Sequence, residues 1–259
     1  MDAPAPSAVK GVTRGTRWRA DDWLAAADAL PVLDLDALTG VGALVVVAPH
    51  PDDESLGCGG VIAEARARGR DVRVIVLSDG TGSHPNSILY PAQRLRAVHE
   101  AEASEAVRAL GLAPDALSFL RLPDRAIPTE GPEAGAATMR IAAAAREAVA
   151  SAILVTWAGD PHRDHQAAAR AAAMLPGMRL LAYPVWAWSL APDAPVSEGP
   201  PRGGRVDITR RLPAKALAVA AHRSQVTPLI VDDPEGSCLE PAMLARHARP
   251  HEILLEVGD

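Results

Sequence analysis

The chain has 259 residues and a formal net charge of −6, with 26 basic and 32 acidic residues and no basic run. This charge balance argues against a nucleic-acid-binding protein. No stretch of about 18 consecutive apolar residues occurs, so we expect no membrane span. A chain of this length commonly forms one α/β domain with its own core.

The N-terminus lacks the apolar segment of a secretory signal, and Cys58 and Cys238 belong to no CxxC motif. Both features predict a cytoplasmic protein.

The first 40 residues differ in composition from the rest of the chain. They begin rich in alanine and proline, and arginines and tryptophans follow ahead of a predicted short helix over residues 21–30. Chain termini usually tolerate variation and seldom carry chemistry. We therefore predict an N-terminal extension over residues 1–40 that packs on the domain, and a single domain over residues 41–259.

The most informative stretch is ALVVVAPHPDDESLGCGG, residues 43–60. It predicts a buried strand over residues 44–47, a polar turn, and a helix over residues 57–68. In parallel α/β sheets, ligands bind beyond the carboxyl ends of the strands. His50, Asp52, Asp53 and Glu54 crowd into this turn, which is costly unless a cation or protons neutralise them. Imidazole and carboxylate together suit zinc or another first-row divalent ion.

Further strands and helices alternate along the chain. Strands are predicted at 71–77, 117–122, 153–156, 179–183 and 252–257, and helices at 91–110, 136–150, 166–174 and 213–221. This alternation predicts an α/β fold, a Rossmann-like three-layer α/β/α architecture with a mostly parallel sheet. Residues 190–205 are predicted as a Pro/Gly-rich loop. A second cluster, Asp160-Pro161-His162-Arg163-Asp164-His165, follows the fourth predicted strand, so the two strand-end turns are expected to converge on one ion.

The two clusters resemble a known pair of motifs. Residues 50–54, HPDDE, followed by residues 162–165, HRDH, resemble the HPDDE and HPDH motifs of the LmbE/PIG-L family of zinc-dependent N-deacetylases. Arg163 stands where the family usually has proline. The resemblance extends from about residue 44 to about residue 256.

The resemblance implies a metal site and a catalytic set. The implied metal ligands are His50, Asp53 and His165, which hold zinc or, as alternatives, Fe²⁺, Co²⁺ or Mn²⁺. Asp52 is implied as the general base that takes a proton from the zinc-bound water. A protonated His162 is implied to stabilise the oxyanion, with Asp164 orienting its imidazole. Either Asp52 or His162 then protonates the leaving amine. Glu54 either supports the metal site or stabilises the start of the following helix, and we favour the second role.

Substrate contacts are predicted on four further segments. The family often places an arginine three residues before a helical glutamate, but the corresponding position here is His99, with Arg96 one turn earlier. Strand-end loops and a late HRSQ segment supply the other candidates. The predicted substrate-binding residues are Arg96, His99, Ser78, Trp186 and His222. Trp186 and Trp188 suit either stacking on a sugar or capping of the core.

The resemblance implies removal of an N-acetyl or other N-acyl group from an N-acetylglucosamine-type sugar or glycoconjugate. The alternatives are an amidase or esterase for longer acyl groups or non-sugar amides, and a non-catalytic metal- or sugar-binding module. The presence of Asp52 argues against the last of these. A dinucleotide-binding protein is disfavoured because no GxGxxG follows the first strand, and a serine hydrolase because GxSxG is absent. The predicted partner is a small sugar, and homo-oligomerisation is left open.

Overall fold

The apolar run before the first His/Asp cluster forms the central strand of a seven-stranded sheet. In the computed structural model, which describes residues 18–258, Ala43–Ala48 is buried along its whole length. Its side chains alternate between the two faces of the sheet: Leu44 and Val46 join one apolar core, and Val45 and Val47 join the other. A strand covered on both faces is expected in a parallel sheet that has helices on either side.

The described residues contain nine strands and nine α-helices. The strands are β1 (Trp18–Arg19), β2 (Ala43–Ala48), β3 (Val72–Ser78), β4 (Leu117–Leu122), β5 (Ala150–Thr156), β6 (Leu180–Tyr183), β7 (Pro195–Val196), β8 (Gly203–Asp207) and β9 (His251–Glu256). The α-helices are α1 (Ala20–Asp28), α2 (Leu35–Thr39), α3 (Asp53–Ala67), α4 (Ala92–Ala109), α5 (Gly131–Glu147), α6 (Arg163–Ala173), α7 (Leu212–Ala221), α8 (Arg223–Val226) and α9 (Pro241–His247). Short 3₁₀ helices occupy Pro114–Ala116, Trp186–Ser189 and Thr209–Arg211. Among these helices, none has the length and apolar character needed to cross a bilayer.

The large sheet has the strand order β4-β3-β2-β5-β6-β9-β8. The first five of these strands are parallel, and β9 runs antiparallel to both β6 and β8. Helices α3, α4 and α7 cover one face, and α5 and α6 cover the other. The predicted three-layer α/β/α fold is therefore confirmed. The chain winds outward from β2 to β4 and then returns to β5 on the other side of β2. The switch point of the topology, where such folds bind ligands, lies between β2 and β5.

Strand β8 was not expected from the sequence. Its first part falls in the predicted Pro/Gly-rich loop over residues 190–205, and so does the short strand β7. Gly203 has φ 129° and lies against β9 so closely that an added Cβ would overlap the carbonyl oxygen of Leu254. Glycine is thus required by close packing between strands, and its presence does not mark a loop here.

The described part of the N-terminal 40 residues packs on the sheet near β6 and β9. The Trp23 ring stacks on Trp157 with 4.2 Å between ring centroids, and its indole N–H donates to the Gly199 carbonyl oxygen at 2.9 Å. Both tryptophans belong to a third apolar cluster that includes Ile253 and Leu255. The domain division at residue 40 stays a prediction, and residues 1–17 lie outside the described part of the chain.

Helix α3 is kinked one turn after the first motif. Cys58 has φ −145° and ψ 22°, which interrupts the helical backbone. The interruption exposes the N–H groups of Gly60 and Val61, and the buried carboxylate of Glu252 accepts both, at 2.9 and 2.7 Å. Lys215 Nζ pairs with the same carboxylate at 2.6 Å. A single buried ion pair from α7 and β9 therefore satisfies the broken helix.

We expect Glu252→Gln to destabilise the protein by about 3–5 kcal/mol, because it leaves the Lys215 charge buried without a partner. Urea unfolding followed by circular dichroism measures this change. The matched control is Glu105→Gln, which removes a surface ion pair with Arg223 at 3.1 Å, and we expect a loss below about 1 kcal/mol. Equal losses in the two variants would contradict the role assigned to Glu252.

Candidate active site

The two His/Asp turns follow neighbouring parallel strands. Strand β2 leads into the turn with His50, and β5 leads into the turn with His165; Val47 of β2 pairs with Val155 of β5. Because the carboxyl ends of parallel strands meet at one edge of the sheet, the turns meet at the switch point. The convergence expected from the sequence is therefore present.

A single oxygen of Asp53 joins the two turns. Asp53 Oδ2 accepts the His50 backbone N–H at 2.9 Å, and it lies 3.1 Å from His50 Nδ1 and 3.2 Å from His165 Nε2. Asp53 is 1% exposed. Burial alone would raise the pKa of Asp53, but the His165 and His50 imidazoles hold it well below its usual range. Asp53 is thus a buried carboxylate anion in contact with both turns.

The imidazole of His50 has carboxylates at both of its nitrogens. On the side away from Asp53, its Nε2 lies 3.2 Å from Asp124 Oδ1 and 3.2 Å from Asp164 Oδ2. Burial lowers the pKa of His50, but its bonds to Asp124, Asp164 and Asp53 raise it well above the ordinary value. Metal-binding histidines usually donate their second N–H to a carboxylate in this way. A neutral His50 with its proton on Nε2 presents Nδ1 as a ligand.

His165 is fully enclosed between two carboxylates. Its Nε2 faces Asp53, and its Nδ1 lies 3.3 Å from Asp160 Oδ1, yet neither nitrogen makes a well-aligned hydrogen bond within the described residues. Burial lowers the pKa of His165, but the charges of Asp53 and Asp160 raise it to about 9. In the absence of a cation, the two carboxylates therefore favour the protonated form of His165.

This donor set fits a divalent cation. Ligand atoms around a tetrahedral zinc ion lie about 3.3 Å apart, close to the separations between Asp53 Oδ2 and the two imidazole nitrogens. Within residues 18–258, two overlapping groups bring ligand atoms within 4.8 Å of one another: His50–His162–His165 and His50–Asp124–Asp164. Asp53 belongs to neither group, but it contacts two of the three imidazoles of the first. The predicted ligand set therefore shares His50 and His165 with the first group. It has Asp53 where that group has His162.

His162 does not have the environment expected for a protonated imidazole. Burial and the nearby His50 and His165 lower the pKa of His162 to about 4, so at neutral pH the ring is uncharged. The Asp164 backbone N–H donates to His162 Nδ1 at 3.2 Å. The proton of the neutral ring is therefore on Nε2. The resemblance implied a protonated His162, whereas this environment favours the neutral ring.

The expected contact between the Asp164 carboxylate and His162 is also wrong. One Asp164 oxygen lies beside His50 Nε2, and the other accepts the Ile127 backbone N–H at 3.1 Å. The reason is that Asp164 lies in the first turn of α6 and His162 is its N-cap residue. At this spacing His162 receives the Asp164 backbone N–H, and the carboxylate is left to face the β2 turn.

Asp52 has the features of an acid/base group. Its backbone has φ 154° and ψ −25°, a combination that residues with a Cβ seldom adopt. Its side chain is 8% exposed and lines a cavity, and within residues 18–258 its carboxylate accepts no hydrogen bond. Burial, together with the negative charge of Asp53, raises the pKa of Asp52 to about 8, although His222 and His50 oppose this shift. A carboxyl group with a pKa near neutrality can both take and return a proton.

The cavity beside Asp52 has a volume of about 270 Å³. Of the predicted site residues, His50, Asp52, His162 and Trp186 line it. The other lining residues had no role predicted from the sequence; they are Gly80, Ser83, Asp124, Arg125, Gln225, Ser237 and Leu239. Two of these residues had a sequence signal. Asp124 lies just beyond the strand predicted at 117–122, and Gln225 is the last residue of the HRSQ segment. Ser237 had none, since it reaches the cavity through a hydrogen bond from its N–H to the Ser83 carbonyl oxygen.

Four predicted substrate-binding residues do not line the cavity. Ser78 is buried at the end of β3, where its hydroxyl accepts the Gly80 N–H at 3.3 Å. His99 is 1% exposed and lies beneath Gly80, where an added Cβ would be 2.5 Å from His99 Nδ1. Arg96 is half-buried on α4, outside the lining.

The fourth of these residues, His222, has a supporting position. It is 1% exposed, and its Nε2 lies 3.2 Å from Glu54 Oε1 and 3.3 Å from Ser55 Oγ. The other Glu54 oxygen accepts the Asp52 backbone N–H at 3.2 Å. Glu54 is thus the link between His222 and the Asp52 turn, a role beyond stabilising the start of α3.

A family model and several solved structures match the chain. The PIG-L model, described as GlcNAc-PI de-N-acetylase, matches residues 45–175. No curated protein matches the sequence.

The solved structures share the fold. The N,N′-diacetylchitobiose deacetylase of Pyrococcus horikoshii is 20% identical, with 82% of each chain covered and a TM-score of 0.60. The conserved protein TT1542 of Thermus thermophilus is 26% identical over 85% of this chain and 94% of that chain, with a TM-score of 0.58. The A40926 pseudoaglycone deacetylase Dbv21 is 22% identical over 82% of this chain and 96% of that chain, with a TM-score of 0.61.

Asp160 connects the second turn to the wall of the cavity that contains Trp186. Its two oxygens accept backbone N–H groups of His162 at 3.1 Å, Val185 at 3.2 Å and Trp186 at 2.8 Å, and it faces His165 Nδ1.

We expect Asp160→Asn to weaken metal binding by about 10- to 100-fold, because an amide cannot accept all of these bonds. Competition with a chromogenic chelator measures the affinity. Asp207→Asn, at an exposed turn capped by Asp207, is the control, and an equal loss there would contradict the role of Asp160.

Proposed function

The chain belongs to the PIG-L family, and we propose that it is a metal-dependent hydrolase that removes the N-acetyl group of an N-acetylglucosamine-type sugar or glycoconjugate. The observation that carries the proposal is the position of Asp52. Its carboxyl group, which accepts no hydrogen bond within residues 18–258, lies on the cavity wall and next in sequence to Asp53, which contacts both imidazoles of the predicted metal site.

Three residues would hold the cation: His50, Asp53 and His165. Zinc is the proposed ion, with Fe²⁺, Co²⁺ and Mn²⁺ as alternatives that His and Asp ligands also accept. When bound, such a cation polarises a carbonyl group and lowers the pKa of a coordinated water toward 7. Asp124 and Asp164 hold the far side of the His50 ring, and Asp160 holds that of His165, so the orientations of the two rings are set by carboxylates.

Asp52 is proposed as the group that moves the proton. It takes a proton from the attacking water while the water oxygen bonds to the amide carbonyl carbon. When the C–N bond breaks, the amine nitrogen needs a proton, and Asp52 returns the one that it took. His162 is not suited to this step, because loss of the Nε2 proton from a neutral ring would leave an imidazolate. The products are acetate and the free amine.

Neutral His162 retains a different role in the proposal. With Nδ1 occupied by the Asp164 N–H, its Nε2–H is a fixed donor at the cavity. A fixed donor stabilises negative charge as it develops on the former carbonyl oxygen, and its effect is larger in a water-poor site. A neutral donor supplies this bond without adding a buried positive charge next to His50 and His165.

The size of the cavity agrees with a small substrate group. A volume of about 270 Å³ lies near the lower end of the ~300–1,000 Å³ that is typical of small-molecule sites. Trp186 supplies an apolar wall on which the face of a sugar ring can stack. Longer N-acyl groups and non-sugar amides remain alternatives. Comparing hydrolysis of N-acetyl- and N-octanoylglucosamine separates them from the acetyl-specific proposal.

We expect the purified protein to contain about one equivalent of divalent metal and to release amine from N-acetylglucosamine derivatives. Asp53→Ala should lose both metal and activity, because it removes a ligand. Asp52→Asn should keep the metal and lose activity by about 100-fold or more, because it removes only the base. Inductively coupled plasma mass spectrometry gives the metal content, and a fluorogenic amine assay gives the activity.

Two comparisons make this test specific. His162→Ala should keep the metal if Asp53 is the ligand, and should lose it if the three-imidazole group binds the ion. Asp79→Asn is the matched control, since Asp79 directly follows β3 and, among the described residues, its carboxylate bonds only to Thr81. If the parent protein contains no metal and binds none when zinc is added, the hydrolase proposal fails and a non-catalytic sugar-binding module becomes the better interpretation.

A further inference from the structure

The aromatic wall of the cavity is carried by a short 3₁₀ helix. Trp186, which lines the cavity, is the first residue of this helix, and Trp188 lies two residues later. A 3₁₀ helix has three residues per turn, so residues two positions apart lie on different sides of it. Trp188 is accordingly not among the described residues that line the cavity, and it packs against α9 instead. The position of Trp186 therefore depends on what holds the other side of a helix that is little more than one turn long.

Helix α9 holds that side through two consecutive residues. The guanidinium carbon of Arg246 lies 3.6 Å from the centroid of the Trp188 ring, which is the geometry of a cation–π interaction. His247 Nε2 lies 3.2 Å from the carbonyl oxygen of Val185, the residue before the 3₁₀ helix. Burial lowers the pKa of His247 to about 3, so the ring is neutral and donates its Nε2 proton to this oxygen. Helix α9 thus contacts the 3₁₀ helix both at its start and along its outer side.

Asp28 joins Arg246 to the N-terminal part of the chain. It is the last residue of α1, and its Oδ2 accepts a hydrogen bond from Arg246 Nη2 at 2.5 Å. Arg249 Nη1 donates to both Asp28 oxygens, at 2.9 and 3.0 Å. Among residues 18–258, Asp28 is the only acidic residue paired with either guanidinium. It therefore offsets the repulsion between the two arginines and keeps Arg246 on the Trp188 ring.

The stability of α1 does not account for Asp28. A negative charge in the last turn of a helix is unfavourable with the helix dipole, so its two arginine partners are the better explanation. The helix can serve as a support because it is itself anchored: Trp23 stacks on Trp157, and the Ala20 N–H donates to the Ala194 carbonyl oxygen at 2.9 Å. The carboxylate at its end thus has a defined position.

We propose that Asp28 is a positioning residue for Trp186: through Arg246 and Trp188 it fixes the wall of the cavity on which the sugar ring stacks. This inference rests on the proposed function and adds to it a residue that lies outside the cavity. Stacking depends on the separation and the tilt of the two rings, so a loosened Trp186 binds the sugar more weakly. The described N-terminal residues thus take part in substrate binding, where the sequence predicted only packing on the domain.

Hydrogen exchange followed by mass spectrometry tests the structural part of the inference. In the full-length protein, Asp28→Asn should speed the exchange of backbone amides over residues 185–189 by about fivefold, the effect of losing one cation–π contact. Exchange over β2 should stay at the parent rate, which excludes general unfolding. The matched control is Asp34→Asn: Asp34 also lies before residue 40 and accepts two bonds from Arg68, both at 2.9 Å, but neither residue lines the cavity. Equal exchange over 185–189 in Asp28→Asn and the parent would overturn the inference.

Steady-state kinetics tests the functional part. Asp28→Asn should raise KM for N-acetylglucosamine derivatives by about fivefold and leave kcat and the metal content at the parent values, because weaker stacking affects the bound substrate and the transition state equally. Asp28→Glu keeps the charge and should restore part of the change in KM. Arg246→Lys also keeps a charge, but it lacks the planar group that lies on the Trp188 ring, so it should raise KM as Asp28→Asn does.

A double-mutant cycle shows whether Asp28 acts through Trp186. Trp186→Leu removes the wall itself, so in that background Asp28→Asn should change KM by no more than about twofold. A rise of the same size in both backgrounds, or a fall in kcat at constant KM, would overturn the inference and leave the hydrolase proposal standing. If the parent hydrolyses no sugar, the hydrolase proposal fails, and the exchange measurement still decides whether Asp28 positions Trp186.

Discussion

One carboxylate oxygen holds the candidate site together. Asp53 Oδ2 contacts an imidazole from each of two turns that are far apart in sequence, His50 in the first and His165 in the second. The same oxygen accepts the backbone N–H of His50, so it also closes the turn from which it comes. The local conformation of the β2 turn and the joining of the β2 and β5 turns thus depend on the same atom. Burial excludes water from these contacts and strengthens them.

The surrounding carboxylates serve both the site and the fold. Asp124 accepts the Gly82 N–H, Asp164 accepts the Ile127 N–H, and Asp160 accepts backbone groups of the segment that carries Trp186. In each case one oxygen fixes a loop and the other faces an imidazole. Loops that would otherwise vary are therefore tied to the imidazoles of the candidate site. This arrangement explains how irregular segments can form a cavity of defined shape.

Much of the fold and the position of the site follow from local sequence. The run ALVVVA and the alternation of apolar strands with helices are sufficient to predict a parallel sheet, and the HPDDE turn then lies at its carboxyl edge. The side-chain partners do not follow, because they depend on contacts between distant segments. Asp164 lies two residues from His162 in sequence but faces His50, from another strand. His222 was expected at the substrate, but burial places it behind Glu54. Strand β8 was hidden by glycines that its packing requires.

The buried pair of Lys215 and Glu252 has a consequence for the order in which the protein assembles. Glu252 lies on β9, the last strand of the sheet, which is inserted between β6 and β8. Until β9 is in place, the kink that follows the first motif lacks the carboxylate that satisfies it, and β8 lacks its neighbour in the sheet. During synthesis on a ribosome, which proceeds from the N-terminus, the HPDDE turn emerges some 200 residues before this support, the separation between residues 52 and 252. In a nascent chain, the kink that follows the first motif would therefore wait for its buried carboxylate until β9 has been made.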